Sequence, residues 1–181
     1  MKPSRRILLL GCGSKPYLQR VSLSGLPQTF EGAEVVGVDF VHTHNPEVVF
    51  DLNQKPWTFA REGEFDEVHA YDLLEHLGAQ GDFKTFFDDF YEIWRVLKVG
   101  GLLYALCPWW QSEWAWADPG HTRIISPYTL TYLDKKEYRN QIGRTSMTDY
   151  RGWWNGNFQY FHGEQMGDAF VFVLRKKERD G

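Results

Sequence analysis

Cysteine is scarce in this chain. Cys12 and Cys107 are the only two in 181 residues, too few for the disulfide framework that holds small secreted domains together. Long apolar runs are missing as well: no stretch approaches the roughly 20 residues of a membrane span. Ile7–Leu10, which follows the basic Lys2, Arg5 and Arg6, is shorter than the roughly 7–15 apolar residues of a signal-peptide core. The chain also lacks an excess of positive charge. A net charge of −4 argues against broad, sequence-independent nucleic-acid binding, which relies on a basic surface, while leaving room for a local basic patch. Internal repeats and low-complexity linkers are absent. The expectation is one domain over residues 1–181, folded in a reducing compartment, the cytoplasm, with both cysteines as free thiols. Hydrophobic residues at 43% and charged residues at 24% suit an ordinary buried core rather than a disordered chain.

Glycine is present where it counts. The apolar run Ile7-Leu8-Leu9-Leu10 leads into Gly11-Cys12-Gly13, the pattern by which a buried parallel strand opens onto a ligand of nucleotide size. A second apolar run, Val35-Val36-Gly37-Val38, ends in Asp39, a carboxylate placed to accept hydrogen bonds from the two hydroxyls of a ribose. A dinucleotide fingerprint needs a third glycine three residues after the second, so that a helix can pack under a pyrophosphate. Here that position is Pro16, preceded by Lys15, which argues against a pyrophosphate cradle and an NAD-linked reductase. A nucleoside without phosphates, such as S-adenosylmethionine, fits better.

Farther along, strand and helix patterns alternate, which implies an α/β protein with a largely parallel sheet covered on both faces. Val48–Asn53 reads as a short strand ending in polar residues, and Phe65–Asp72 as another. Phe83, Phe86, Phe87, Phe90, Ile93, Trp94 and Leu97 recur at helical spacing. They predict a helix from the cap Asp82 to Lys98, stopped by Gly100-Gly101. Leu102–Cys107 predicts a strand halted by Pro108, Ser126-Pro127 a helix start, and Ala169–Leu174 the final strand. If one strand separates theirs in the sheet, Cys12 and Cys107 lie roughly 9–10 Å apart, beyond disulfide reach.

Laid out this way, the chain resembles the class I S-adenosylmethionine-dependent methyltransferases, and among them the small members with a Leu-Glu-His motif. The matching blocks are Leu8–Pro16, Val35–Asp39, Val49–Asn53, Phe65–Leu77, Arg95–Leu103 and Asp118–Leu130. Arg95-Val96-Leu97-Lys98-Val99-Gly100-Gly101 is the most specific, although the family more often has Pro at the position of Val99. Residues 138–167 match loosely. The resemblance implies a Rossmann-like fold, a mixed seven-stranded sheet of order 3-2-1-4-5-7-6 with strand 7 antiparallel. It implies that Gly11, Cys12 and Gly13 lie against the methionine part of the cofactor and that Asp39 holds the ribose. Phe40 would flank the adenine, Asp51 and Leu52 would meet its edge, and Tyr71, Asp72 and His76 would stand near the sulfonium. The reaction implied is methyl transfer to a hydroxyl, amine or carboxylate of a small molecule. Methylation of a nucleic acid or a nucleotide-linked sugar is the alternative, as is a non-catalytic module that binds the cofactor or a protein partner. The Pro-Pro-Tyr motif of DNA amino-methyltransferases is replaced here by Ala70-Tyr71-Asp72-Leu73. The Pro-Cys pair of cytosine-C5 enzymes is missing, since Cys107-Pro108 is reversed and on another strand.

Several residues admit two readings. Asp72, Glu75 and His76 share one face of a helical turn. With His121 they could coordinate a divalent ion. The simpler expectation is no metal, with Glu75-His76 bracing the turn. His121 is the candidate general base, with Asp72 as its catalytic companion, because an imidazole titrates near neutrality. Trp109, Trp110, Trp114 and Trp116 form one aromatic cluster, and Tyr150, Trp153, Trp154 and Phe158 a second. Most are expected to pack with each other, and one or two to line an acceptor pocket. His42 and His44 read as part of a solvated loop.

Overall fold

The structure is a computed structural model describing residues 5–14 and 30–179. Lys15 and Pro16, which weigh against a pyrophosphate cradle, lie outside the described residues. Seven strands are present: β1 (Arg6–Leu10), β2 (Glu34–Asp39), β3 (Val48–Val49), β4 (Phe65–Tyr71), β5 (Leu97–Pro108), β6 (Phe158–Met166) and β7 (Ala169–Lys176). They form one sheet in the order β3-β2-β1-β4-β5-β7-β6. The first five run parallel, and β7 is antiparallel to both β5 and β6. This is the expected mixed seven-stranded sheet.

Side-chain alternation along the strands divides the core in two. Leu8, Leu10, Val68, Ala70, Leu103 and Ala105 face the helix α1 (Phe83–Val96) and meet its Phe87, Phe90, Ile93 and Trp94. Each Leu, Val, Ile or Phe among them contributes roughly 1.5–3 kcal/mol when fully buried. Leu9, Tyr71, Tyr104, Val171 and Val173 point to the opposite face, joined there by Cys12. His69 shares that face, in register with Leu9 and Tyr104. A helical cover for this second face does not occur among the described residues.

The helix begins where expected: the Asp82 carboxylate accepts a hydrogen bond from the Thr85 N–H at 3.2 Å. It ends earlier, at Val96 rather than Lys98. Leu97 already pairs with Phe65, and the sheet register then jumps so that Glu67 pairs with Leu102. Gly100, at φ 82°, therefore serves an irregularity within β5 and is not the helix stop. Three further helices, α2 (Trp114–Ala117), α3 (Pro127–Thr131) and α4 (Lys135–Gln141), follow β5. The start of α3 is the expected Ser126-Pro127 signal, here a full capping box with Thr129. The β3 strand is shorter than expected: the Phe50 N–H still meets the Asp39 carbonyl at 2.9 Å, but the chain then turns over Asp51–Gln54.

Candidate functional site

The carboxyl ends of β1, β2 and β4 open into a cleft of about 500 Å³, lined by Gly11, Asp39, Phe40, Phe50, Asp51, Leu52, Asn53, Asp72, Leu73, His76, Leu77 and Gly120. The strand order reverses at this edge, where open α/β sheets bind their ligands. The volume is within the range of small-molecule sites, about 300–1,000 Å³. The charge of the lining is one-sided. Asp39, Asp51 and Asp72 contribute three carboxylates, and neither Lys nor Arg is among the described lining residues.

Asp39 is 7% exposed and fixes the entrance of the cleft. Its Oδ2 accepts the Gly13 N–H at 2.9 Å and its Oδ1 the Val41 N–H at 2.8 Å. The Nδ1 of His44 stands 3.5 Å from Oδ2. A carboxylate has about four acceptor positions, so two remain for a ligand. Gly13 thus acts through its N–H on Asp39 and does not itself line the cleft. Gly11 does, at φ 58°, with Leu73 so close that a Cβ would come within 2.9 Å of Leu73 Cδ1. Phe40 projects from the rim, 73% exposed. Asp51 closes its own turn by accepting the Asn53 N–H at 2.9 Å, and buried Leu52 forms part of the floor.

Asp72 follows β4 in the left-handed conformation, φ 48°, uncommon for a residue with a Cβ. Its N–H is tied to the Leu106 carbonyl at 2.9 Å, so strand pairing holds the strain. Partial desolvation raises the Asp72 pKa above the usual aspartate range, and His76 and His121 pull it back. A 3-10 turn, Leu74–His76, comes next. It is stitched to residues 120–124: the Glu75 carbonyl accepts the N–H groups of Thr122 and Arg123, and the Thr122 carbonyl accepts that of Gln80. His76 Nδ1 donates to the Gly120 carbonyl at 2.9 Å, and His121 Nδ1 to the Trp114 carbonyl at 3.0 Å. The two rings are 4.8 Å apart, edge to face. The Glu75 side chain is buried beside Cys107, and neither oxygen has a hydrogen bond of ordinary geometry. Burial pushes its pKa up to about 7, against weaker opposing effects of its own N–H and the Cys107 thiol.

Besides Gly13, two of the residues expected at the cofactor, Cys12 and Tyr71, stand outside the cleft lining. Alternation sends Tyr71 to the opposite face, where its hydroxyl meets His69 Nδ1 at 2.6 Å, and Cys12 is fully buried in the same cluster. Both cysteines are free. His121 stands behind His76, beside a small hollow with Glu75 and Cys107, and outside the cleft lining. None of the four tryptophans at 109–116 lines the cleft: Trp109 packs on Phe170, while Trp114 and Trp116 are exposed. Trp154 is core, and Tyr150 stacks on Phe83. Sequence reasoning missed Phe50, Leu73, Leu77 and Gly120 as lining, and His44 as a neighbour of Asp39. Phe50 and Leu77 carried only the signal of apolar residues in a polar connection.

No protein-family model and no curated protein matches the sequence. Solved structures do match the fold. A SAM-dependent methyltransferase from Archaeoglobus fulgidus is similar over 97% of this chain and 87% of its own, with a TM-score of 0.60 and 17% identity. The N-methyltransferase NodS from Bradyrhizobium japonicum WM9 is similar over 96% of this chain and 86% of its own, with a TM-score of 0.59 and 12% identity. NodS is also known in complex with S-adenosyl-L-homocysteine. The [4+2]-cyclase SpnF has the same fold, with a TM-score of 0.60 and 14% identity over 96% of this chain and 75% of its own. The chain therefore has the Rossmann-like fold of SAM-dependent methyltransferases. The cyclase shows that this fold also carries other chemistry. No described helix is long and apolar enough to cross a membrane.

Proposed function

We propose that this protein is an S-adenosylmethionine-dependent methyltransferase acting on a hydroxyl, amine or carboxylate of a small molecule. The observation that carries the reading is the acidic cleft at the switch in strand order, with three carboxylates and neither Lys nor Arg among its described lining residues. A polyphosphate would meet repulsion there, whereas a nucleoside bearing a sulfonium and an ammonium meets opposite charge. The donor set fits such a cofactor: Asp39 has two acceptor positions left for ribose hydroxyls, Phe40 and Phe50 offer aromatic faces, and Asp51-Leu52 offer an edge.

When bound, S-adenosylmethionine supplies a methyl group already activated on sulfur, so the chain's own task is orientation and proton removal. Asp72 opens on the cleft with a raised pKa, which makes it a carboxylate able to take a proton from the acceptor. His121 has Nδ1–H committed to the Trp114 carbonyl, which leaves Nε2 bare as the second candidate base. The −4 net charge favours a small acceptor over a nucleic acid. Calorimetric titration with S-adenosylhomocysteine, set against NAD, tests the cofactor. Saturable micromolar binding of the former alone supports the reading, and binding of NAD alone, or of neither, refutes it.

A further inference from the structure

Behind the cleft a buried carboxylate and two imidazoles converge, and the geometry points to a divalent metal site formed by Glu75, His76 and His121. One ligand atom from each of the three lies within 4.8 Å of the other two. A carbonyl oxygen only accepts, so the contacts of His76 to Gly120 and of His121 to Trp114 place the hydrogen on Nδ1 in both rings. Each imidazole is thereby held in the tautomer that leaves Nε2 as a lone pair. Metal-binding histidines are oriented by this kind of outer hydrogen bond.

The third member is Glu75, 2% exposed, whose carboxylate meets only its own N–H and the weak thiol donor of Cys107. A buried carboxylate with such weak donors is costly. A divalent ion satisfies all three together. Asp118 Oδ2, 3.9 Å from His121 Nε2, adds negative charge at the rim. Two imidazoles and one carboxylate suit zinc, manganese or iron better than magnesium, which prefers oxygen donors throughout. Metal bonds of about 2.1 Å bring neighbouring ligands to roughly 3 Å apart, so the three side chains contract on the ion by small rotamer shifts.

Three protein ligands leave coordination positions open, as in catalytic rather than structural metal sites. His76 also lines the cleft, so the ion stands at its boundary, next to Asp72. An ion held there by Glu75, His76 and His121 would supply Lewis acidity toward an acceptor oxygen, with Asp72 left as the base. The metal site itself does not depend on the identity of the cofactor.

The test uses untagged, chelator-treated protein titrated with Zn²⁺, read by calorimetry and by imidazole ¹⁵N resonances. We expect one ion per chain, with Nε2 shifts confined to His76 and His121. Glu75→Gln weakens binding by more than about 100-fold, beyond the 10–100-fold typical of an outer partner. Should Glu75→Gln fail to fold by circular dichroism, His121→Gln decides, with the same expected loss. The proposal is overturned by an absence of saturable binding or by shifts confined to His42, His44 or His162. Wild-type affinity in a folded variant of either residue overturns it too.

Discussion

Replacing Asp39 with Ala separates two jobs that one carboxylate performs. Inside the protein it accepts the N–H groups of Gly13 and Val41 at 2.9 and 2.8 Å. Truncation leaves both donors without that partner, at about 1–3 kcal/mol each where water cannot replace it. For a chain of this size each kcal/mol lowers Tm by roughly 2–4 °C, so a fall of several degrees is expected. Towards the ligand, the same change removes two charge-assisted acceptors for ribose hydroxyls, worth about 1.5–3 kcal/mol apiece. At 1.4 kcal/mol per tenfold, S-adenosylhomocysteine should bind about 10²–10⁴-fold more weakly. Asp39→Asn keeps the shape and one acceptor oxygen but turns an NH2 towards a backbone donor, so it should fall between wild type and Ala. The assay is calorimetric titration alongside a thermal melt of each variant. A folded Asp39→Ala protein whose Tm drops while its affinity stays within about twofold of wild type would refute the ribose role.

Gly11→Ala places a Cβ at φ 58° and 2.9 Å from Leu73 Cδ1, costing about 1–2 kcal/mol for the backbone alone. Adding Leu73→Ala should relieve the crowding and leave the backbone cost, and a double variant less stable than Gly11→Ala counts against this account. His69 is saturated as a neutral ring, receiving the Tyr71 hydroxyl on Nδ1 and donating from Nε2 to Glu67 at 2.9 Å. Burial holds its pKa below the ordinary 6.5, so the unfolded chain takes up the proton first. Stability should then fall as pH drops below about 6.5, by at most about 1.4 kcal/mol per unit, and urea melts of His69→Gln should show a shallower slope. Asp89, buried in α1, lies 2.7 Å from Lys55 Nζ and 3.8 Å from an Arg123 nitrogen. Asp89→Ala strands those charges at about 3–5 kcal/mol, a fall in Tm on the order of 10 °C, and an unchanged melt would show that the pair is dispensable.

Much of the sheet was legible in the sequence because β1, β2, β4 and β5 are buried strands with apolar runs, and periodicity also located α1. The β6 strand was not legible. It is an edge strand whose residues alternate between half-buried and exposed, and Gln159, His162, Gly163, Glu164 and Gln165 dilute any apolar signal. The end of α1 was misplaced because Gly100-Gly101 is a strong local stop signal, while the pairing of Leu97 with Phe65 is a contact between distant residues. In the site, Gly11 and Asp39 could be named from motif spacing, and Phe40, Asp51, Leu52, Asp72 and His76 from the resemblance; all seven line the cleft. Cys12 and Tyr71 stand outside the lining because a motif marks the strand end and does not say which face a side chain takes. The burial of Glu75 depends on Cys107 and on the strap at 120–124, which no local pattern in Leu74-Glu75-His76 announces.

The seam between residues 75–80 and 120–124 sets a rule for segment exchange. Asp39, Asp51 and Asp72 all precede α1, whereas the exposed Trp114, Trp116, Tyr128 and Trp153 follow β5. Residues 108–157 are therefore a natural cassette for grafting between proteins of this fold. The junction is not free, however. The Glu75 carbonyl holds Thr122 and Arg123, Gln80 holds Thr122 and Ile124, and Arg123 reaches the Ala79 and Asp82 carbonyls as well as Asp89. A chimera that carries over Thr122-Arg123-Ile124 retains these crossings, and one that replaces them must bring matching partners on α1 and the turn before it.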